Sequence, residues 1–482
     1  MTVAKNLFLA LSAVFILAAC SEKKEKKETV NPGLPKITRP TKATYMNGKQ
    51  FCAKYHEITS KEFGIYVEVP MDYQNPEKGA TEIYAYTMAT FDPTKPSVVS
   101  IDGGPGGNSH GYSEPFDPEY NLIYFDQRGL GCSSPKTYSL YLDSSLYSTD
   151  NTVRDMDKIR QAYGINEWSV FGISYGTVPA TIYASTFPDN VRSVVLEGTL
   201  GPYQQMHNRA FKAEKYNLVI ADFNEARLKT FETLLKDGGI ESEIIWTLLN
   251  RALFIDIGFR RAKRDIESII LEDGSVDEVR VQEFAEHFAS KDERPLQAPG
   301  NVDETVYLSI ACKNLQFPKI QGQQIVYSFK MQKFAVAKAS EREAERLCKD
   351  DVGVKQLQQK PYQLSDYPIV KPIYYFQGSH DGATNTRGSI EHWKAVPKGL
   401  SYFMLAAKGG HTPNSERMQK TGVQKDIFKL GIFAKPVTQA DLDLVNAVID
   451  PIERWKLYTN PHLQFSELEE EMSGIRIWSL AQ

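Results

Sequence analysis

Along the chain, the arrangement of apolar and polar positions changes character twice. From residue 45 to residue 200, short apolar runs are separated by glycine- and proline-containing turns. Residues 65–69, 83–86, 98–101, 122–125, 169–171 and 194–196 read as strands, because each is short, rich in β-branched or aromatic residues and bounded by turn formers. Helical patterns over 152–163 and 178–187 fall between the later strands. Strands alternating with helices predict an α/β fold with a mostly parallel sheet covered on both faces.

From 201 to 365 the pattern becomes that of amphipathic helices. Leu228, Phe231 and Leu235 recur at helical spacing before an Asp237-Gly238-Gly239 stop, and Ile244, Leu248 and Leu249 continue the series. Strand patterns return at 373–376 and 402–405. The chain is therefore expected to be a sheet domain (45–200 and 366–436) interrupted by a helical insertion of ordinary domain size. Residues 437–482 read as a charged, helix-like C-terminal extension without an assigned role.

The first residues are of another kind. Lys5 precedes an apolar run from Leu7 to Ala19, broken only by Ser12. That is shorter than the roughly 20 residues needed to cross a bilayer and has the length of a signal-peptide core. Its end, Leu17-Ala18-Ala19-Cys20, resembles a bacterial lipoprotein box. The resemblance implies cleavage after residue 19, acylation of Cys20 and stable anchoring by more than one acyl chain. Ser21 at the next position then implies sorting to the outer membrane. Residues 20–44, rich in Lys and Glu with Pro32, Pro35 and Pro40, read as a tether.

Composition adds little beyond exclusions. A net charge of −4 gives no basic footprint for nucleic acid, and no obligate protein partner is evident. Setting Cys20 aside leaves Cys52, Cys132, Cys312 and Cys348, an even number that in an oxidising compartment suggests two disulfides with three possible connectivities. Cys52 and His56 have ligand-like spacing but too few companions for zinc, so no metal is expected.

Gly172-Ile173-Ser174-Tyr175-Gly176 is a G-x-S-x-G between a predicted strand and a predicted helix. In that setting the motif forms a sharp turn that lifts the serine hydroxyl above the sheet. Asp381 and His411 each follow a predicted strand through a glycine-containing loop, in the order Ser, Asp, His that this architecture requires. Ser174, Asp381 and His411 are thus the candidate catalytic triad. Gly103-Gly104-Pro105-Gly106-Gly107 follows an early strand and lacks the Lys-Ser/Thr ending of a phosphate loop. Gly104 and Tyr175 are the candidate backbone donors of an oxyanion hole. His110 reads as a surface residue. Such a constellation needs no cofactor.

The glycine loop, Phe125-Asp126-Gln127-Arg128-Gly129-Leu130-Gly131-Cys132-Ser133 and the Ser174 motif resemble the prolyl and tripeptidyl aminopeptidases of the α/β-hydrolase fold. Val69-Pro70-Met71-Asp72-Tyr73 and the upstream Cys52 resemble the tripeptidyl branch, and Gly378-x-x-Asp381-x-x-Thr384 and Gly410-His411 match the later motifs. Asp102 before the glycine loop and Arg128 after Gln127 depart from the usual pattern. The resemblance implies a serine exopeptidase acting on short peptides at a free N-terminus, with the helical insertion as a cap. It pairs Cys52 with Cys132 and Cys312 with Cys348. It also implies acidic recognition of the substrate amine, for which Glu197, read as just beyond a strand end, is a candidate, although an exposed loop carboxylate is the default reading. A carboxylesterase using the same triad and a non-catalytic binding lipoprotein are the alternatives.

Overall fold

A computed structural model describes residues 64–107, 119–201, most of 219–292, 306, 309–315, and 361–459 apart from a few short stretches. The signal-like segment, the tether, Cys20, Cys52, His110 and Cys348 lie outside the described residues.

Nine strands form one sheet: β1 (Gly64–Pro70), β2 (Ala80–Thr87), β3 (Ser97–Ile101), β4 (Asn121–Phe125), β5 (Trp168–Ile173), β6 (Val191–Glu197), β7 (Ile373–Gly378), β8 (Ser401–Ala406) and β9 (Trp455–Tyr458). Their spatial order is β1-β2-β4-β3-β5-β6-β7-β8-β9. The six from β4 to β8 run parallel, and β1, β2 and β9 supply antiparallel edges. Successive residues of a strand face opposite sides, and here both sides are apolar. Val99, Val170, Val194 and Tyr375 pack with the helices Thr149–Ala162, Thr177–Thr186 and Thr386–Lys394. Val98, Phe171, Val195 and Phe376 pack on the other side with Val423–Ile432 and Gln439–Asn446. This two-faced burial is why the central strands read as continuous apolar runs.

Between β6 and β7 the chain forms the helices Glu225–Asp237, Asp256–Ile269 and Glu278–Asp292. They contribute to a core of their own, in which Phe231, Leu248, Leu249 and Ile266 are fully buried. Val306, Ile310 and Leu315, from the same stretch, join the core on the first face of the sheet.

The C-terminal segment departs from the helical expectation. The helix Gln439–Asn446, started by a capping box at Thr438, is followed by β9, which pairs with β8. Trp455 is fully buried, with its ring centroid 5.9 Å from that of Phe376. An aromatic of this size buries roughly 150–250 Å², which at about 25 cal/mol per Å² contributes at most about 4–6 kcal/mol. That burial and the pairing with β8 together dock the strand, so part of the extension belongs to the sheet.

Candidate active site

The carboxyl ends of β3, β5, β6, β7 and β8 meet along one edge of the sheet, and Gly104, Ser174, Tyr175, Glu197, Asp381 and His411 lie at or just beyond them. β5 ends at Ile173, Ser174–Gly176 form a single tight turn, and the helix Thr177–Thr186 begins at once. Ser174 has φ of 56°, a left-handed conformation that a side chain adopts only under constraint. The constraint is close backbone packing. A Cβ on Gly172 would lie 2.4 Å from the Gly176 oxygen, and one on Gly176 would lie 2.1 Å from the Ile101 oxygen. Thr177 Oγ1 donates to the Ser174 carbonyl at 2.6 Å and accepts from Leu200 N at 3.0 Å. Ser174 is 9% exposed.

The glycine loop packs against this turn. A Cβ on Gly103 would lie 2.7 Å from Ser174 Cβ and 3.2 Å from its Oγ, so only glycine allows the loop to come this close. Gly107 N donates to the Gly103 oxygen at 3.1 Å and closes the loop. Tyr175 is buried, its hydroxyl 2.9 Å from Thr149 Oγ1, which holds the residue after Ser174 in place.

Asp381 and His411 are brought together by the pairing of β7 with β8. His380 N donates to the Gly409 oxygen at 2.9 Å, tying the two loops. His411 Nδ1 lies 3.0 Å from Asp381 Oδ2 and 3.1 Å from Thr384 Oγ1. Asp381 also accepts from Ala383 N and Thr384 N at 2.8 Å, Thr384 Oγ1 at 2.6 Å and Gln377 Nε2 at 3.0 Å. A carboxylate that is an acceptor at both oxygens requires the proton of a neutral imidazole on Nδ1, which makes Nε2 the basic nitrogen of the ring. His411 reaches back across β7 to lie over Gly198, at the end of the strand next to the one that carries Ser174.

One side chain stands differently from its sequence reading, and two others have surroundings that the sequence did not announce. Glu197 is neither exposed nor in a loop: it is the last residue of β6 and fully buried. Its Oε1 accepts from Asn414 N at 2.6 Å and Ser415 N at 2.9 Å, and its Oε2 from Ser415 Oγ at 2.6 Å. Gln377, not singled out in the sequence, braces Asp381 while its Oε1 accepts from Thr199 N and Ser389 Oγ. A polar residue inside an otherwise apolar strand was the only signal for it. Asp102, at the start of the glycine loop, is buried with neither carboxyl oxygen hydrogen-bonded. Burial, and then the nearby charge of Asp126, raise its pKa well above the ordinary carboxylate range. Among the described residues no group of three acidic, histidine or cysteine side chains could hold a metal ion.

A family model for the alpha/beta hydrolase fold matches residues 96–238. A probable proline iminopeptidase of Streptomyces coelicolor is 40% identical over 106 residues, which are 22% of this chain and 32% of that protein. The proline iminopeptidase of Arabidopsis thaliana is 41% identical over 103 residues, 21% of this chain and 26% of that protein. The match thus spans about a third or less of these relatives' length. The crystal structure of MGS-M2, an alpha/beta hydrolase enzyme from a deep-sea metagenome library, superposes with a TM-score of 0.40 at 13% identity, covering 74% of this chain and 96% of that one. The chain has the α/β-hydrolase fold and, over about a fifth of its length, is similar to the proline iminopeptidases.

Proposed function

We propose that this chain is a serine exopeptidase that releases residues from the free N-terminus of short peptides through an acyl-enzyme. The observation that carries the reading is the hydrogen bond that His411 Nδ1 donates to Asp381 at the sheet edge where Ser174 occupies its constrained turn. In this mechanism His411 Nε2 takes the proton of Ser174 Oγ as the oxygen attacks the scissile carbonyl. Asp381, itself held by Thr384 and Gln377, keeps the imidazole in the required tautomer and stabilises the imidazolium. The backbone N–H groups of Gly104 and Tyr175 receive the developing oxyanion. His411 then protonates the leaving amine, and water, activated by the same residue, releases the acyl group. Similarity to the proline iminopeptidases supports a peptide substrate. The helical insertion between β6 and β7 serves as the cap that limits access to short chains.

The chain is placed by the same proposal at the outer membrane, held by acyl groups on Cys20 after removal of residues 1–19, with 20–44 as the tether. Disulfides Cys52–Cys132 and Cys312–Cys348 suit that compartment. Continued detergent dependence of a Cys20→Ala chain is the result that contradicts the lipid anchor.

The test is mass spectrometry of peptides with free or acetylated N-termini after incubation with protein starting at Ser21, with Ser174→Ala as control. Short N-terminal fragments should arise only from free peptides. Fluorophosphonate labelling of Ser174 without peptide cleavage would give first place to a carboxylesterase; absence of labelling and turnover would point to a binding protein.

A further inference from the structure

The base of the proposed triad is held at more places than the triad requires. Asp381 holds His411 on its Nδ1 side. The other hold comes from β6, a strand that carries none of the three triad residues. A Cβ on Gly198 would lie 2.5 Å from the His411 oxygen and 2.9 Å from ring atoms Cε1 and Nδ1, so the β6 terminus forms a floor under the imidazole. Immediately before it, Glu197 receives the N–H groups of Asn414 and Ser415 and the Ser415 hydroxyl. These residues open the short helix Pro413–Met418, two positions after His411. First-turn N–H groups have no partner within their own helix, and a bond to a buried carboxylate is about twice as strong as one between neutral groups. The chain entering His411 is fixed by β7, and the chain leaving it is fixed by Glu197.

We propose that Glu197 is a positioning residue for His411, setting the base relative to the end of β6 and thereby to Ser174 on the adjacent strand. Both of its oxygens accept from the segment after His411. The proposal rests on the reading of His411 as general base.

Glu197→Gln, Glu197→Asp and Glu197→Ala in the full chain test it. Glutamine keeps one acceptor oxygen for the two N–H groups, but its amide nitrogen cannot accept from Ser415 Oγ. The first readout is the rate of Ser174 labelling by a fluorophosphonate, which depends on no particular substrate. Displacement of a catalytic group by about 1 Å costs on the order of 100-fold, so the alanine variant should lose about that and the glutamine variant roughly tenfold. KM should stay within about twofold, since ground-state binding is untouched while kcat falls. The downfield proton resonance of His411 Nδ1–H should shift or broaden in step.

A rise in KM with kcat and labelling unchanged would make Glu197 a substrate contact and overturn the proposal. Loss of melting temperature alone, with labelling and the resonance as in the parent, would leave only a buried structural carboxylate and overturn it equally. If alanine prevents folding, the glutamine and aspartate variants decide. If the parent labels but cleaves no peptide, the exopeptidase reading fails and labelling still decides this one. If Ser174 does not label, the resonance decides.

Discussion

Arg128, one of the two departures from the family pattern, makes the sharpest stability prediction. It lies after β4 with its side chain 3% exposed, and Asp155, on the helix Thr149–Ala162, is 1% exposed. Nε meets Asp155 Oδ2 at 2.8 Å and Nη2 meets Oδ1 at 2.6 Å, a two-pronged pair. Nη1 also donates to the Met71 oxygen at 2.5 Å, so the guanidinium joins the end of β1, the segment after β4 and a helix on one face of the sheet. Replacing Arg128 with Met leaves Asp155 buried with the Tyr73 hydroxyl, 3.0 Å away, as its remaining side-chain donor. Removing one partner of a buried pair costs about 3–5 kcal/mol, against a total stability of about 5–15 kcal/mol for a folded protein.

The loss carries a pH signature. Burial, outweighing the opposing effect of Arg128, already raises the Asp155 pKa, and without the cation it rises further. A carboxyl whose folded pKa exceeds its unfolded value binds more protons in the native state, so stability falls as pH rises through that interval. The Arg128→Met deficit should therefore be larger at pH 8 than at pH 5. Arg128→Met with Asp155→Leu should recover most of it, because replacing both members with apolar groups is often neutral or better. Urea unfolding followed by tryptophan fluorescence measures the parent, the single and the double variant at both pH values. A single-variant cost below about 1 kcal/mol, as for an exposed pair, or a double variant no better than the single, would refute the reasoning.

Asp381→Asn should lower kcat by about 10⁴-fold with the fold intact, since the amide no longer enforces the Nδ1–H tautomer; esterase or peptidase kinetics with circular dichroism would check it. Gly378→Ala places a Cβ about 2.0 Å from the Gly410 oxygen, so the loop before His411 must move and Ser174 labelling should slow at least tenfold on the scale of a displaced base. Asp102→Asn removes an ionisation that burial and Asp126 oppose. Because the folded pKa is raised, the parent loses stability as pH rises from the ordinary carboxylate range, so the variant should melt higher than the parent at pH 8 and close to it at pH 4.

What the sequence made legible was local. The central strands were found because two-sided burial leaves continuous apolar runs, and the Ser174 turn because five adjacent residues encode their own backbone geometry. Asp381 and His411 were legible because each stands a few residues past such a strand. Glu197 was misplaced for the complementary reason: its partners lie 217 and 218 residues later, and nothing near it in the chain announces them. β9 was missed because Trp-Lys-Leu-Tyr is a four-residue edge strand, with Trp455 and Tyr458 buried and Lys456 exposed, whose pairing is decided by a distant neighbour.

The helical insertion leaves the sheet after Glu197 and returns at β7, the immediate parallel neighbour of β6. Its two ends are therefore fixed side by side whatever lies between them, and the entropy of closing such an excursion grows only with the logarithm of its length, about 0.6 kcal/mol per doubling. A lineage descended from this protein can lengthen, shrink or exchange the excursion without disturbing how β6 meets β7. In the proposed peptidase, substrate choice can change on that side of the molecule while the triad is inherited unaltered.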